Sequence, residues 1–145
     1  MGGRRRTNGV LRRFVTQLWG NKIYYEDDLR KLLNISVNEQ CSDLYCHTLR
    51  CKHLLVEKKG TDIRKVENSL TKTLNRLRDK GYKVDELVLI VKSMRKMYGL
   101  KRDKEKYLVI VNTGDRYKIK GLLVRCFTEE EINRRLVRRY YLGGG

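Results

Sequence analysis

The sequence predicts an α+β domain that is helical through its amino-terminal half and then closes with a β-hairpin and a carboxyl-terminal helix; an all-α arrangement is the alternative. Three observations carry this reading. Apolar residues recur at helical spacing in several stretches between Val10 and Leu77, β-branched runs concentrate between Glu86 and Phe127, and Thr128 with Glu131 forms a capping box that opens a last helix. The 145 residues suffice for one core. Residues 8–142 therefore read as one domain between a basic arm, 1–7, and a glycine tail, 143–145.

In chain order, Val10, Leu11, Phe14, Val15, Leu18 and Trp19 follow one helical face as far as Gly20. A short helix over Glu26–Leu33 has Asp27 and Asp28 in its first turn, where they favour the positive end of the helix dipole. Ser36 with Glu39 matches a capping box, and Val37, Cys41, Leu44, Tyr45 and Leu49 predict a third helix. Asp62 is placed to cap a fourth, in which Ile63, Val66, Leu70, Leu74 and Leu77 hold the helical period up to Gly81. Glu86–Lys92 is a continuous β-branched run and reads as a strand. Lys106–Asn112 and Arg116–Phe127, on either side of Thr113-Gly114-Asp115, read as a hairpin. Ile132, Leu136, Val137 and Tyr140 mark the last helix, and the absence of proline leaves every element uninterrupted.

Charge narrows the partner. The 34 Lys and Arg against 17 Asp and Glu give a net +17, a field that small neutral substrates do not require and a phosphate backbone does. Arg4, Arg5, Arg6, Arg12 and Arg13 form one acid-free basic end, and Arg134, Arg135, Arg138 and Arg139 another. Lys92, Arg95, Lys96, Lys101 and Arg102 make a third patch. Tyr24-Tyr25 and Tyr140-Tyr141 lie near basic residues and could stack on unpaired bases, although core packing is the commoner use of tyrosine. The longest apolar run, Leu87–Val91, is too short to cross a bilayer, so no membrane span is expected and the chain reads as intracellular.

Cys41, Cys46, Cys51 and His53, with His47 alongside, lie within 13 residues and raise the question of zinc or an iron–sulfur cluster. On one helix, cysteines five residues apart rotate away from each other. A break near His47 would let Cys46, Cys51 and His53 meet, with Cys126 as a fourth ligand. The plainer reading makes the cysteines small apolar residues in a reducing compartment and expects no cofactor.

The segment Ile35-Ser-Val-Asn-Glu-Gln-Cys-Ser-Asp-Leu-Tyr-Cys46-His-Thr-Leu-Arg-Cys-Lys-His-Leu-Leu55 resembles a stretch of the CRISPR-associated RecB-type exonucleases, which have the PD-(D/E)XK nuclease fold. In that family a cysteine at the place of Cys46 ligates an iron–sulfur cluster. Val109-Ile-Val-Asn-Thr-Gly114 is similar to the family's metal-binding strand, and Tyr98–Asp103 to the approach that precedes it. Gly121–Val124 and Thr128–Glu131 are similar to the later strand and helix, so short motifs cover residues 35–140 in order. The chemistry needs an Asp and a Glu on a divalent ion and a Lys to orient it. On this alignment the Glu position is Ile110 and the Lys position Asn112, while His47 and Thr48 replace the family's Pro-Arg.

Read through that alignment, the chain is a shortened, inactivated nuclease domain, similar to the nucleocapsid proteins of tristromaviruses, rod-like viruses of hyperthermophilic archaea. The resemblance implies a non-enzymatic structural protein of the virion that coats double-stranded DNA through its phosphates. Its partners would be the DNA and further copies of itself or of a paralogous coat protein. The alternative is a winged-helix-type regulator, with Ser69–Gly81 in the major groove and the 106–127 hairpin as the wing. An active metal-dependent nuclease and an RNA-binding protein complete the set.

Overall fold

A computed structural model describes residues 9–58, 63–92 and 118–143. Its elements run α1 (Gly9–Gln17), β1 (Asn21–Tyr25), α2 (Glu26–Leu33), β2 (Leu44–His47), β3 (His53–Lys58), α3 (Ile63–Asp79), β4 (Glu86–Val91), β5 (Lys118–Ile119), β6 (Leu122–Thr128), α4 (Glu129–Asn133) and α5 (Leu136–Leu142). The strands join in one mixed sheet of order β1-β2-β3-β4-β6-β5. Strands β3, β4 and β6 are mutually parallel, whereas β1/β2, β2/β3 and β5/β6 pair antiparallel. The α+β class holds.

The apolar run of β4 is continuous because both faces of that strand are covered. Leu87, Leu89 and Val91 join Leu29 and Leu33 of α2 and Leu70, Leu74 and Leu77 of α3 on one face. Val88 and Ile90 join Phe14 of α1, Ile132 of α4 and Val137 and Tyr141 of α5 on the other. Helices thus flank the sheet on both sides, and the strands between them are held from above and below.

Local chemistry ends the elements where they end. Asn34 closes α2 in the left-handed region, at φ +57°. Gly81, at φ +85°, closes α3, and the Tyr82 N–H donates to the Leu77 carbonyl at 2.9 Å. Gly20 is needed for a different reason: a Cβ there would stand 2.9 Å from Val15 Cγ1, where the chain leaves α1 for β1. The capping box of α4 is complete, with Thr128 N–H on Glu131 Oε1 at 2.8 Å and Glu131 N–H on Thr128 Oγ1 at 3.1 Å.

Several sequence expectations are corrected. Residues 36–49 form no helix: the Glu39 carboxylate accepts the Ser36 N–H at 3.2 Å, but it is also held by Lys72 at 2.9 Å and Arg76 at 3.2 Å, and the chain turns and enters β2. The first half therefore holds three strands and is not purely helical. The run Arg116–Phe127 is not one strand, because Lys120 (φ +50°) and Gly121 (φ +84°) make a two-residue turn between β5 and β6. The Asp62 cap, the Lys106–Asn112 strand and the Thr113–Asp115 turn lie outside the described residues. Strand β6 lies inside the sheet, bonded to β4 on one side and β5 on the other, while residues 106–117 of the expected wing lie outside the described residues. The last helix is split at Arg135 (φ +63°), which buries Val137 and Tyr141 and leaves Leu136 and Tyr140 exposed.

Candidate functional site

Two regions of the surface carry chemistry. The first is basic. Arg12 and Arg13 are exposed on α1, and Arg134, Arg135 and Arg139 are exposed at the α4–α5 bend and on α5. These helices share one face of the sheet, where Phe14 meets Tyr141 edge-on with ring centroids 6.4 Å apart. The Arg138 guanidinium lies 4.6 Å from the centroid of the Trp19 ring. The fold thus merges two basic stretches separated by more than a hundred residues of sequence. Arg134 is engaged by an acid, Glu130, at 2.6 Å. Lys92 is exposed just after β4, while Arg4, Arg5, Arg6, Arg95, Lys96, Lys101 and Arg102 lie outside the described residues, as does the Val109–Gly114 segment with Ile110 and Asn112. Of the tyrosines, Tyr141 is buried with its hydroxyl donating to Glu86 at 2.6 Å, and Tyr24 stacks on buried Tyr45 at 6.1 Å; Tyr140 is the exposed one of the pairs singled out from sequence.

The second region is acidic. β2 and β3 pair with Leu44 opposite Val56, and the Asp43 N–H donates to the Val56 carbonyl at 3.1 Å, so Asp43 and Glu57 come next to each other across the strands. Alternation along the strands puts both on the α2/α3 face. Asp43 Oδ2 accepts the Lys58 N–H at 2.7 Å, and Glu57 Oε1 accepts the Ser69 hydroxyl of α3 at 3.0 Å. Buried Ser42 ties the same corner together, its N–H on Thr73 Oγ1 at 2.9 Å. Desolvation pushes the Asp43 carboxyl up to about 6, and Glu26 adds to the rise. Glu57 is raised well above the usual carboxylate range, by desolvation first and then by the charge of Asp43. Glu26 is paired with Arg30, at 2.8 Å, and lies near both carboxylates. The Lys58 ammonium points to the opposite face, 3.7 Å from Glu129.

This pair was not singled out from sequence, because the family alignment drew attention to Val109–Gly114. The signal was present: Asp43 is followed by Glu57-Lys58-Lys59, an Asp and a Glu-x-Lys set. Lys59 lies outside the described residues.

The Cys/His set is not brought together. Cys46 faces the α1 side of the sheet and Cys126 packs on the α2/α3 side, so the two cannot share an ion. Cys51 is exposed, and His53 gives its Nδ1 to Asp85 at 3.0 Å. Burial pushes the Cys46 and Cys126 thiols up to about 12, whereas a metal ligand must be a thiolate. Among the described residues no three His, Cys, Asp or Glu side chains stand together as a metal-ligand group. No protein-family model, curated protein or solved structure matches the chain. No helix among the described residues is long and apolar enough to cross a membrane.

Proposed function

We propose that the protein binds nucleic acid through its basic face and hydrolyses phosphodiester bonds at Asp43 and Glu57 with a divalent ion. One observation carries the reaction: two desolvated carboxylates are placed side by side on adjacent strands at the carboxyl end of β3, and the charge of Asp43 adds to the rise of Glu57. Holding both ionised is unfavourable until a cation shares them. Their chemistry suits magnesium or manganese, which take one or two carboxylates and fill the remaining positions with water and substrate phosphate. Such an ion would polarise the phosphate and supply hydroxide from its bound water. Asp43 and Glu57 would hold such an ion, and Ser69 fixes one oxygen of Glu57. This reading keeps the nuclease kinship expected from sequence and moves its site from residues 109–114 to residues 43–59.

A second reading, the non-enzymatic coat of double-stranded DNA, is favoured by the net charge of +17 and the merged basic face. One experiment separates the two. Labelled duplex, branched and single-stranded DNA, and RNA, are incubated with the protein in magnesium, manganese or EDTA, and both cutting and copies bound per base pair are read. Cutting that needs the ion, and that falls by about a hundred-fold or more in Asp43→Asn and Glu57→Gln while binding persists, supports the nuclease. Intact substrates under all ions, with saturation at one copy per few base pairs, overturn it in favour of the coat.

A further inference from the structure

Resting on the nucleic-acid reading, we infer that Trp19 and Arg138 form a stacking ledge for unpaired bases, so that the α1/α5 face takes single-stranded nucleic acid or the unpaired part of a branched one. Trp19 is the chain's one tryptophan, and it is 52% exposed. It sits just past α1 at φ +51°, a backbone position that favours glycine or asparagine and burdens a bulky side chain. Gly20 follows immediately. A large ring kept in strained backbone and turned to solvent contributes little to the core, which points to a use outside it.

The surroundings say what that use is. Arg12, Thr16 and Trp19 fall on one exposed side of α1, with Thr16 Oγ1 on the Arg12 carbonyl at 2.9 Å and the Trp19 N–H on the Thr16 carbonyl at 3.1 Å. The Arg138 guanidinium is stacked 4.6 Å from the Trp19 centroid, leaving its edge N–H groups to reach a phosphate. Leu49, half exposed, is set alongside by its N–H on the Leu18 carbonyl at 3.1 Å. Neither α1 nor α5 contains an acidic residue. The far flank of α5 repeats the arrangement, with the Arg125 guanidinium 4.4 Å from the ring of exposed Tyr140. Positive charge repels a second copy docking through the same face. Flat apolar rings among arginines match a polyanion whose own flat faces are open, and in a duplex those faces are closed by stacking.

The test uses the full chain in EDTA, so that no substrate is cut. Trp19 fluorescence and fluorescence anisotropy follow titrations with a thymidine oligonucleotide, an abasic strand of equal length and a blunt duplex of equal phosphate count. The oligonucleotide should quench Trp19 and bind about ten-fold more tightly than the abasic strand. Trp19→Gly, which suits the backbone angle, should remove that advantage and leave abasic binding unchanged. Arg138→Lys, which keeps the charge, should weaken the oligonucleotide and keep the salt dependence. Equal affinity for the oligonucleotide and the abasic strand, or an unaltered preference in Trp19→Gly, overturns the ledge alone. Failure of all three ligands to bind at low salt overturns the nucleic-acid reading together with it.

Discussion

Strands β3 and β4 run side by side in the same direction, and acids stand at both of their ends. At the amino end, Asp85 accepts the His53 N–H at 2.7 Å and the His53 ring at 3.0 Å, with the Lys83 ammonium at 3.5 Å. Burial pushes its carboxyl up, yet these partners hold it below the ordinary value. Glu86 is buried next to it, between the Tyr141 hydroxyl at 2.6 Å and the Lys52 ammonium at 3.3 Å. At the carboxyl end, Asp43 and Glu57 receive a backbone N–H and a serine hydroxyl, and both are raised. One end of β3 and β4 therefore holds an acid pair compensated by cations, and the other, where β3 meets β2, holds a pair that face each other. The first arrangement stabilises the fold, and the second stores an unfavourable charge that an added cation would relieve.

The largest effect should come from breaking the compensated end. Glu86→Ala leaves the buried Tyr141 hydroxyl without its acceptor and Lys52 without its acid, and should cost about 3 kcal/mol. Chemical denaturation should show a lower midpoint at unchanged slope. A loss under about 1 kcal/mol would mean that this end is not what holds α5 to the sheet.

Next in size is a pair of substitutions with opposite signs. Asp43 has its folded pKa raised to about 6, so its contribution to stability is fully present below the unfolded value and is lost as pH rises through about 6. Asp43→Asn, measured in EDTA at pH 8, should therefore stabilise by on the order of 1–3 kcal/mol, and the gain should vanish by pH 4. Asp85 has its folded pKa lowered, so its stabilisation is present above the unfolded value and is lost as pH falls through the folded one. Asp85→Asn should destabilise at pH 8 by about 1 kcal/mol, and less in acid. Magnesium should raise the melting temperature of the unaltered protein and leave that of Asp43→Asn unchanged. Equal signs for the two variants at pH 8 would erase the distinction between the ends.

Much of this fold was legible where one element satisfies itself. The helical period from Val66 to Leu77 and the β-branched run Leu87–Val91 each report burial directly, and α3 and β4 stand where they predict. Thr128 with Glu131 caps a real helix because no other group competes for the Glu131 carboxylate among the described residues. Ser36 with Glu39 has the same spacing and keeps the bond from the Ser36 N–H to the Glu39 carboxylate, yet no helix follows, because Lys72 and Arg76 of α3 hold the other Glu39 oxygen and Arg30 takes the Ser36 and Glu39 carbonyls. Strand β2, four residues long, is too short to show alternation. The acid pair was legible as Asp43 and Glu57-x-Lys59, but its meaning depends on a register that pairs Leu44 with Val56, and a helix over 36–49 would have hidden it.

The smallest effect tests how finely the uncompensated end is held. Ser69 is buried on α3, and its hydroxyl donates to Glu57 at 3.0 Å while its carbonyl accepts the Ser42 hydroxyl at 3.4 Å. The first bond favours ionised Glu57 and fixes one of its oxygens, which makes Ser69 a positioning residue for the ion. Ser69→Ala removes that donor, so Glu57 should hold its proton to higher pH and compete less well for the ion. Manganese affinity should fall by about ten-fold, and its pH midpoint should move upward, while stability in EDTA changes little. A purely structural serine would show the reverse: a loss of stability in EDTA with the manganese midpoint unmoved, which would place the organising contact for Glu57 in β2 and β3 alone.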